Sequence, residues 1–203
     1  MIIKQFVEPP IENNNYLIID EQSKEAVLID CSCMDENILV ELKKYDAQLK
    51  YVLLTHGHFD HIGGLNDLPK NTKVLMHAND IDWINEVNTY LPMIGMPSMQ
   101  IPKISEYIND NDVISFGNLK IKVIHTPGHT QGGVCYYIDN ILFTGDTIFK
   151  ESVGRCDLPG GNFNQIVDSI NKKIFTLPEE TVIYPGHGKQ TTVGWEIKHN
   201  NYM

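Results

Sequence analysis

The stretch that decides the fold is Thr55-His56-Gly57-His58-Phe59-Asp60-His61, which directly follows the apolar run Tyr51–Leu54. It places four side chains that commonly bind metals within six residues: His56, His58, Asp60 and His61. Burying four such groups without a partner would cost a large desolvation free energy. Imidazole and carboxylate are the usual protein ligands of zinc and iron, and Gly57 lets the backbone turn tightly between two of them. The stretch therefore predicts a metal site where a strand ends.

Three further segments repeat this design, in which an apolar strand leads into a glycine-bearing turn and then a ligand-type side chain. They are Thr126-Pro127-Gly128-His129-Thr130, Thr144-Gly145-Asp146-Thr147 and Tyr184-Pro185-Gly186-His187-Gly188. Each would be weak evidence alone, because a single histidine after a turn is usually an ordinary loop residue. Together with the first stretch they predict that four strand ends deliver ligands to one edge.

The number of candidate ligands predicts two metal ions. Seven side chains are available: His56, His58, Asp60, His61, His129, Asp146 and His187. One tetrahedral or five-coordinate ion cannot use seven ligands, whereas two ions that share a carboxylate can. Asp146 is the natural bridge because a carboxylate offers two oxygens. A pair of ions about 4 Å apart can stabilise an attacking hydroxide and a developing oxyanion together.

Composition limits the protein's class. The chain has 203 residues, of which 42% are apolar and 21% charged, so we expect one domain spanning residues 1–203. A formal charge of -10 argues against general binding to nucleic acid or anionic membranes. No apolar run approaches the ~20 residues of a membrane span, and the first residues lack a signal-peptide pattern. We therefore expect a cytoplasmic protein that acts on a small molecule.

Strands followed by helices in each half of the chain predict two sheets packed together with helices outside. The predicted strands are Ile2–Val7, Tyr16–Asp20, Ala26–Asp30, Tyr51–Thr55, Lys73–Met76, Asp112–Phe116, Leu119–His125, Val134–Ile138, Ile141–Thr144 and Thr181–Tyr184. The predicted helices are Asp35–Tyr45, one that starts near Ile62, Asn79–Val87, Phe163–Leu177 and a short one from Gly194.

The segment Asn88–Ser105 differs from the rest because three prolines alternate with methionines spaced by three residues. Three interpretations stay open: an irregular surface loop, a flexible apolar flap over a pocket, or a contact in a homo-oligomer. Methionine favours the flap because its side chain adapts to varied shapes.

The remaining histidines and the cysteines are interpreted as structural residues without a part in the metal site. His77 and His125 are predicted to be loop or supporting residues, and His199 to be exposed. The four cysteines form no CxxC pair, so we interpret them as packing or loop residues.

The four motifs together resemble the metallo-β-lactamase superfamily, and the resemblance covers nearly the whole chain. It implies a four-layered αββα sandwich of the α/β class, with mixed sheets, helices outside and the site at the strand edge. The stretches Gly145–Phe149 and Gly154–Gly161 are most similar to the short bacterial members of the glyoxalase II group. That similarity assigns one metal to His56, His58 and His129, the other to Asp60, His61 and His187, and Asp146 as the bridge. Zinc is the expected metal, with iron or manganese as alternatives.

The resemblance also implies an activity, the hydrolysis of a thioester such as S-lactoylglutathione by a hydroxide that the metals generate. Asp146 and Asp60 would be catalytic, with Asp60 orienting the hydroxide. Arg155 is a candidate anchor for a substrate carboxylate, or else the ion-pair partner of Asp157. Only sixteen residues follow His187, so we expect no C-terminal glutathione-binding extension.

Alternative functions within the same fold remain open. An iron-dependent persulfide dioxygenase would use His56, His129 and Asp146 around a single iron. A lactonase or other ester hydrolase is also compatible with the motifs. Zinc β-lactamases generally lack a bridging carboxylate at the position of Asp146, which argues against that activity, and a flavodiiron role would prefer Glu at the position of His58. A regulatory module with an inactive site is disfavoured because all the ligand positions are filled.

Overall fold

Two six-stranded sheets face each other, and the chain completes the first before it builds the second. A computed structural model describes residues 1–9 and 11–203. The first sheet runs, in spatial order, β1 (Ile2–Glu8), β2 (Asn13–Asp20), β3 (Glu25–Ile29), β4 (Gln48–Leu53), β5 (Lys73–His77) and β6 (Glu106–Ile108). The second contains β7 (Val113–Phe116), β8 (Leu119–His125), β9 (Val134–Ile138), β10 (Ile141–Gly145), β13 (Val182–Pro185) and β14 (Thr191–Thr192), with β7 and β14 at its edges. A separate hairpin pairs β11 (Ile148–Phe149) with β12 (Ser152–Val153).

Both sheets are mixed, as the sequence predicts. In the first, β1, β2 and β3 are antiparallel, whereas β3, β4, β5 and β6 are parallel. In the second, β7 to β10 are antiparallel, β10 and β13 are parallel, and β14 returns antiparallel to β13. The parallel pairs matter most for the site, because parallel neighbours end at the same edge of a sheet.

The core consists of three apolar layers, one between the sheets and one on each outer face. Along β2, Tyr16 and Ile18 face the inner layer, while Leu17 and Ile19 face the first outer layer. Every residue of β2 is buried, as expected for a strand that is covered on both faces. Helices cover the outer layers, so the architecture is αββα and the expected fold class is confirmed.

Most helices are shorter than the predicted ones or are divided, and the helix predicted to start near Ile62 instead ends at that residue. They are α1 (Glu36–Lys44), α2 (Phe59–Ile62), α3 (Ile81–Asn85), α4 (Val87–Tyr90), α5 (Phe163–Ser169) and α6 (Val193–His199). The helix predicted over 79–87 is divided into a 3-10 turn, α3 and the start of α4. The helix predicted over 163–177 changes to a π turn at Ile170–Ile174. None of the helices in residues 1–9 and 11–203 combines the length and apolar character that crossing a membrane requires.

The methionine-containing segment Asn88–Ser105 is partly ordered into regular structure. It begins within α4 and continues as a 3-10 turn at Leu91–Ile94. Met96 and Met99 pack against the first outer layer, whereas the side chain of Met93 is 79% exposed. The segment therefore covers part of the core and presents Met93 on its outer side.

Candidate metal centre

The four ligand-bearing segments all lie at one edge of the sandwich, where strands from both sheets end. β4 ends at Leu53, two residues before the first motif, and Asp60 and His61 lie in the short helix α2. In the second sheet, β8, β10 and β13 end just before His129, Asp146 and His187. Strand ends thus carry all the predicted ligands to the same place.

The side chains at this edge lie close enough to share bound ions. His129 Nε2 lies 2.9 Å from His58 Nδ1. His187 Nε2 lies 3.3 Å from Asp60 Oδ2. Asp146 lies between these groups, with Oδ1 3.5 Å from His61 Nε2 and Oδ2 3.6 Å from both His129 Nε2 and His187 Nε2.

These side chains form three overlapping triads. Within each triad the ligand atoms lie within 4.8 Å of one another. The triads are His56, His58 and His129; Asp60, His61 and His187; and His56, His61 and Asp146. The first two reproduce the division that the resemblance implies, and Asp146 is placed to bridge them. The roles of the individual residues stay predictions, but the His/Asp cluster is suited to a binuclear metal site.

Unpartnered buried atoms provide a test of whether the site fits metal ions. Among the described residues, His56 Nε2, His58 Nε2 and Asp146 Oδ1 are buried and have no hydrogen-bond partner. A buried polar atom without a partner costs about 1–3 kcal/mol, so three together indicate that something else satisfies them. Divalent cations fit, because neutral imidazole and carboxylate are their usual ligands.

At His56, His58 and Asp146 the electrostatics favour the protonation states that metal ligands need, whereas neighbouring carboxylates raise the pKa of His61 and His187 against the effect of burial. Burial lowers the pKa of His58 to about 3 and lowers that of His56 well below its usual range, and neighbouring imidazoles add to both effects. Burial alone would raise the pKa of Asp146, but His61, His129 and His187 hold it well below its usual range. The site therefore offers neutral His56 and His58 beside an ionised Asp146.

Asp30 supports the site and is not singled out by the sequence. Its carboxylate accepts hydrogen bonds from Thr55 N at 2.7 Å, Thr55 Oγ1 at 2.8 Å and His61 Nδ1 at 2.8 Å. It therefore fixes both the start of the first motif and the ring of His61. Asp30 adopts a φ of +57°, a left-handed conformation that is uncommon outside glycine and that a sequence pattern does not reveal.

Asp80 is the second supporting carboxylate that sequence reasoning missed. It accepts hydrogen bonds from Gly57 N at 3.0 Å, Thr130 Oγ1 at 2.7 Å and Gly132 N at 2.5 Å. These donors belong to the loops that carry His56, His58 and His129, so one buried side chain links two ligand-bearing segments. Burial raises the pKa of Asp80, while these three hydrogen bonds oppose that effect.

Arg155 forms an ion pair with Asp157, which is the second of the two roles predicted for it. Its guanidinium makes two hydrogen bonds to Asp157, both at 2.7 Å, and its side chain is 62% exposed. Its backbone oxygen accepts a hydrogen bond from His129 Nδ1 at 2.7 Å, which leaves Nε2 of that ring turned towards His58. A role in substrate binding stays a prediction.

The other histidines and the cysteines lie outside the candidate ligand groups. His77 and His125 stack with ring centroids 4.2 Å apart at the ends of β5 and β8, and His199 stacks on Trp195. All four cysteines are free thiols. Within the part of the chain that the structure describes, every group of three or more possible metal ligands lies at the strand edge.

A cavity of about 610 Å³ opens over the ligand cluster. His58, Asp60, His129, Asp146 and His187 line it on the ligand side. Trp83, Tyr90, Met93 and Ile94 line it on the other side, together with Ile11, Leu158 and Pro159. The first part of the methionine-containing segment thus forms one wall of the cavity, which supports the flap interpretation.

A family model described as the metallo-beta-lactamase superfamily matches residues 9–187. Because this match covers most of the chain, the chain belongs to that superfamily, and the resemblance seen in the motifs is confirmed.

Two curated relatives match over almost their full lengths. An uncharacterized protein of Aquifex aeolicus is 37% identical, and the match covers 100% of this chain and 97% of the relative. The hydroxyacylglutathione hydrolase GloC of Haemophilus influenzae is 29% identical, with 95% of this chain and 93% of the relative covered.

Three solved structures share the fold closely. The B3 metallo-beta-lactamase BLEG-1 is 34% identical with a TM-score of 0.90, and 99% of each chain is covered. ETHE1 from Myxococcus xanthus is 30% identical with a TM-score of 0.80, covering 99% of this chain and 84% of its own. TTHA1623, solved in a di-iron-bound form, is 30% identical with a TM-score of 0.87, covering 98% of this chain and 100% of its own.

Proposed function

We propose that this member of the metallo-β-lactamase superfamily is a binuclear metal-dependent hydrolase that cleaves thioesters, with hydroxyacyl thioesters such as S-lactoylglutathione as the first candidates. The observation that carries the proposal is the division of the ligand-type side chains into two triads with Asp146 between them, below an open cavity. The relationship to GloC supports the thioester substrate class.

The residues present suit ions that would be held by His56, His58 and His129 on one side and by Asp60, His61 and His187 on the other. When bound, such an ion pair lowers the pKa of a water molecule and polarises a carbonyl group. Zinc is our first candidate for the metal, with iron and manganese as alternatives. The similarity to a protein solved in a di-iron form keeps iron prominent among them.

The chain's own residues would prepare the site for this reaction. Asp146 is held ionised, and Asp60 Oδ2 lies 3.3 Å from His187 Nε2 at the cavity floor, where it could orient a nucleophilic water. Trp83, Tyr90 and Met93 line one wall of the cavity, where their apolar surfaces could contact the acyl group of a substrate. A thiolate is a good leaving group, so the reaction depends little on a separate general acid.

A reconstitution assay tests the proposal. Metal-free protein would be loaded in parallel with zinc, manganese or ferrous iron and assayed for S-lactoylglutathione hydrolysis, with metal content measured on the same samples. We expect thioester turnover that requires metal and falls roughly hundredfold or more in His58→Ala. His199→Ala is the matched control, because this histidine is exposed and stacks on Trp195 away from the cluster. Full metal loading without turnover of any thioester would contradict the proposal.

A persulfide dioxygenase is the second candidate, favoured by the similarity to ETHE1. Such an enzyme would use His56, His129 and Asp146 around one iron. Against it, His187 lies within 3.6 Å of Asp146 and completes a second triad. Oxygen consumption by the iron-loaded protein with glutathione persulfide would support the dioxygenase, and its absence would exclude it.

A further inference from the structure

A side cavity of about 250 Å³ adjoins the metal centre. It lies between the β1–β2 hairpin, the Phe59–Asp60 segment and residues 91–99. Its lining shares Ile11, Phe59 and Asp60 with the larger cavity over the ligand cluster. Its volume is several times the ~30 Å³ that a water molecule occupies in the liquid, so one end of a substrate held at the metal centre could enter it.

Glu8 is a charged residue in the lining of this side cavity. It is the last residue of β1, only 8% of its surface is exposed, and it lines the cavity wall. Within residues 1–9 and 11–203 its carboxylate has neither a hydrogen-bond partner nor an ion-pair partner at usual distances. Because its oxygens are unpaired among the described residues and accessible to the cavity, a cation from outside the chain could pair with them.

The neighbouring polar side chains are already engaged with one another. Ser32 Oγ donates to Asn13 Oδ1 at 2.8 Å and lies 2.9 Å from Asn15 Oδ1. Asn13 Nδ2 lies 2.8 Å from His61 Nε2. None of these hydrogen bonds involves the carboxylate of Glu8.

The surroundings of Glu8 favour a positive, partly apolar ligand. Burial raises the pKa of Glu8, and the negative charge of Asp35 nearby raises it further, so a positive partner would stabilise the ionised carboxylate. Phe59, Leu91, Met96 and Met99 supply the apolar part of the lining. A carboxylate beside an aromatic ring and aliphatic side chains is well suited to an alkylammonium group.

We propose that this side cavity is a subsite for a cationic alkylammonium group of the substrate, with Glu8 as its counter-ion and Phe59 and Met99 packing against its carbon atoms. The inference rests on the proposed hydrolase function, because the cation would be one end of the molecule that is cleaved. A bound metal ion is a poorer occupant, since no group of three possible metal ligands within the described residues includes Glu8.

Matched substrates test the subsite. The probes are trimethylammonium-alkyl thioacetates with two, four or six methylene groups, each paired with the neutral tert-butyl analogue of the same shape. We expect wild-type protein to favour the cationic member of at least one pair by roughly tenfold in kcat/KM. Equal kcat/KM within every pair would overturn the inference while leaving thioester hydrolysis intact.

Two variants separate a specific counter-ion from a general charge effect. Glu8→Gln keeps the shape of the side chain and should abolish the preference for the cation while changing turnover of the neutral ester less than twofold. Glu12→Gln is the matched control, an exposed glutamate on the same hairpin, and should keep the preference. If Glu8→Gln lowered kcat/KM equally for both members of a pair, or kept the preference, the subsite would be refuted.

If none of the thioacetates is cleaved, that result counts against the proposed function for these substrates. A binding measurement can still test the subsite in that case. Titration calorimetry with butyltrimethylammonium then tests the subsite directly. Binding to wild type that is lost in Glu8→Gln and retained in Glu12→Gln would support it. No binding to the wild type would overturn it.

Discussion

Asp80 illustrates how single buried residues hold the candidate site in place. Its two carboxylate oxygens accept hydrogen bonds from the loop of His56 and from the loop of His129, which belong to different sheets. Asp80 contributes to the site because its carboxylate accepts hydrogen bonds from donors in both loops. The geometry of the ligands therefore depends on a residue that is not itself a ligand.

Replacing Asp80 by Asn should disrupt this support. Both oxygens of the Asp80 carboxylate accept hydrogen bonds, whereas the side-chain amide of Asn has only one oxygen. At least one buried donor therefore loses its acceptor. We expect the free energy of unfolding to fall by roughly 2–4 kcal/mol and the metal affinity to fall roughly tenfold or more. Urea unfolding and competition with a chromogenic chelator measure the two effects.

Asp82→Asn is the control for this change, because Asp82 lies two residues away in α3 and is exposed. It should alter neither stability nor metal affinity. If Asp80→Asn behaved like the control, the supporting role of Asp80 would be wrong.

The sequence predicts the ligands better than it predicts their supports. His129, Asp146 and His187 each follow an apolar strand and a glycine-bearing turn, so a pattern of neighbours marks them. Asp30 and Asp80 are single acidic residues with no such pattern. Their importance arises from hydrogen bonds to residues 23 to 52 positions away in the sequence, which only the folded chain brings together.

At the scale of elements, the loop that carries His129 is positioned by its close approach to α5. Gly128 has a φ of +143°, and a side chain there would collide with the backbone of Ile166 in that helix. Ser169 Oγ reinforces the contact by donating to Pro127 O at 2.7 Å. Glycine is needed here for lack of room as well as for its backbone conformation.

We therefore expect Gly128→Ala to displace this loop from α5. The free energy of unfolding should fall by roughly 2–4 kcal/mol, and metal binding should weaken with it. Gly95→Ala is the matched control, because Gly95 also has a positive φ, of +77°, but no atom lies within 4 Å of the added carbon. It should cost only about 1 kcal/mol. Equal losses in the two variants would show that backbone conformation alone, and not contact with α5, explains Gly128.

The second element-scale prediction concerns the connection between the sheets at the end of β2. Asp20 Oδ2 accepts hydrogen bonds from Asn118 N and Ser23 Oγ, both at 2.8 Å, and Asn118 belongs to the turn between β7 and β8. These hydrogen bonds lower the pKa of Asp20 to about 2. An acid whose pKa is lower in the folded state stabilises that state above its unfolded pKa, and this contribution is lost as pH falls through the folded pKa.

The difference in free energy of unfolding between wild type and Asp20→Asn should therefore be constant near neutral pH and should shrink between about pH 4 and about pH 2. Denaturant unfolding of the metal-free proteins measures it without interference from metal release. A difference that stayed constant or grew as pH fell over this range would contradict the assignment.

Element boundaries show where local sequence stops being informative. Five of the six strands of the second sheet are predicted to within one residue at each end, because each is an apolar run between turn residues. The short strands β6, β11, β12 and β14 are not predicted, since a strand of two or three residues is too short to show an alternating pattern of apolar and polar residues. The helix predicted over 163–177 becomes a π turn after Ser169, where Phe175 N bonds to Ile170 O, a tertiary outcome that local periodicity does not signal.

For the whole molecule, the ligand cluster joins the ends of strands from both sheets. The αββα fold could be predicted because the four motifs together define the family, whereas composition alone indicates only a globular protein. Since bound ions would connect β4 with β8, β10 and β13, metal binding should stabilise the complete sandwich rather than one loop.

Metal removal should accordingly lower the melting temperature of the whole chain in a single transition. A ligand at a thousand times its dissociation constant adds about 4 kcal/mol, which corresponds to roughly 8–16 °C for a chain of this size. Calorimetry with and without a chelator measures the shift. Asp146→Asn should reduce the shift strongly, and a wild-type melting temperature unaffected by chelation would contradict a resident metal centre.

We propose that two triads, bridged by Asp146, hold two metal ions that act together in hydrolysis. This proposal is tested most directly by elemental analysis of wild type, His58→Ala and His187→Ala, with thioester turnover measured on the same samples. We predict two ions per chain in wild type, about one in each variant, and loss of turnover in both. A single ion in wild type, with content and turnover unchanged in His187→Ala, would contradict the account.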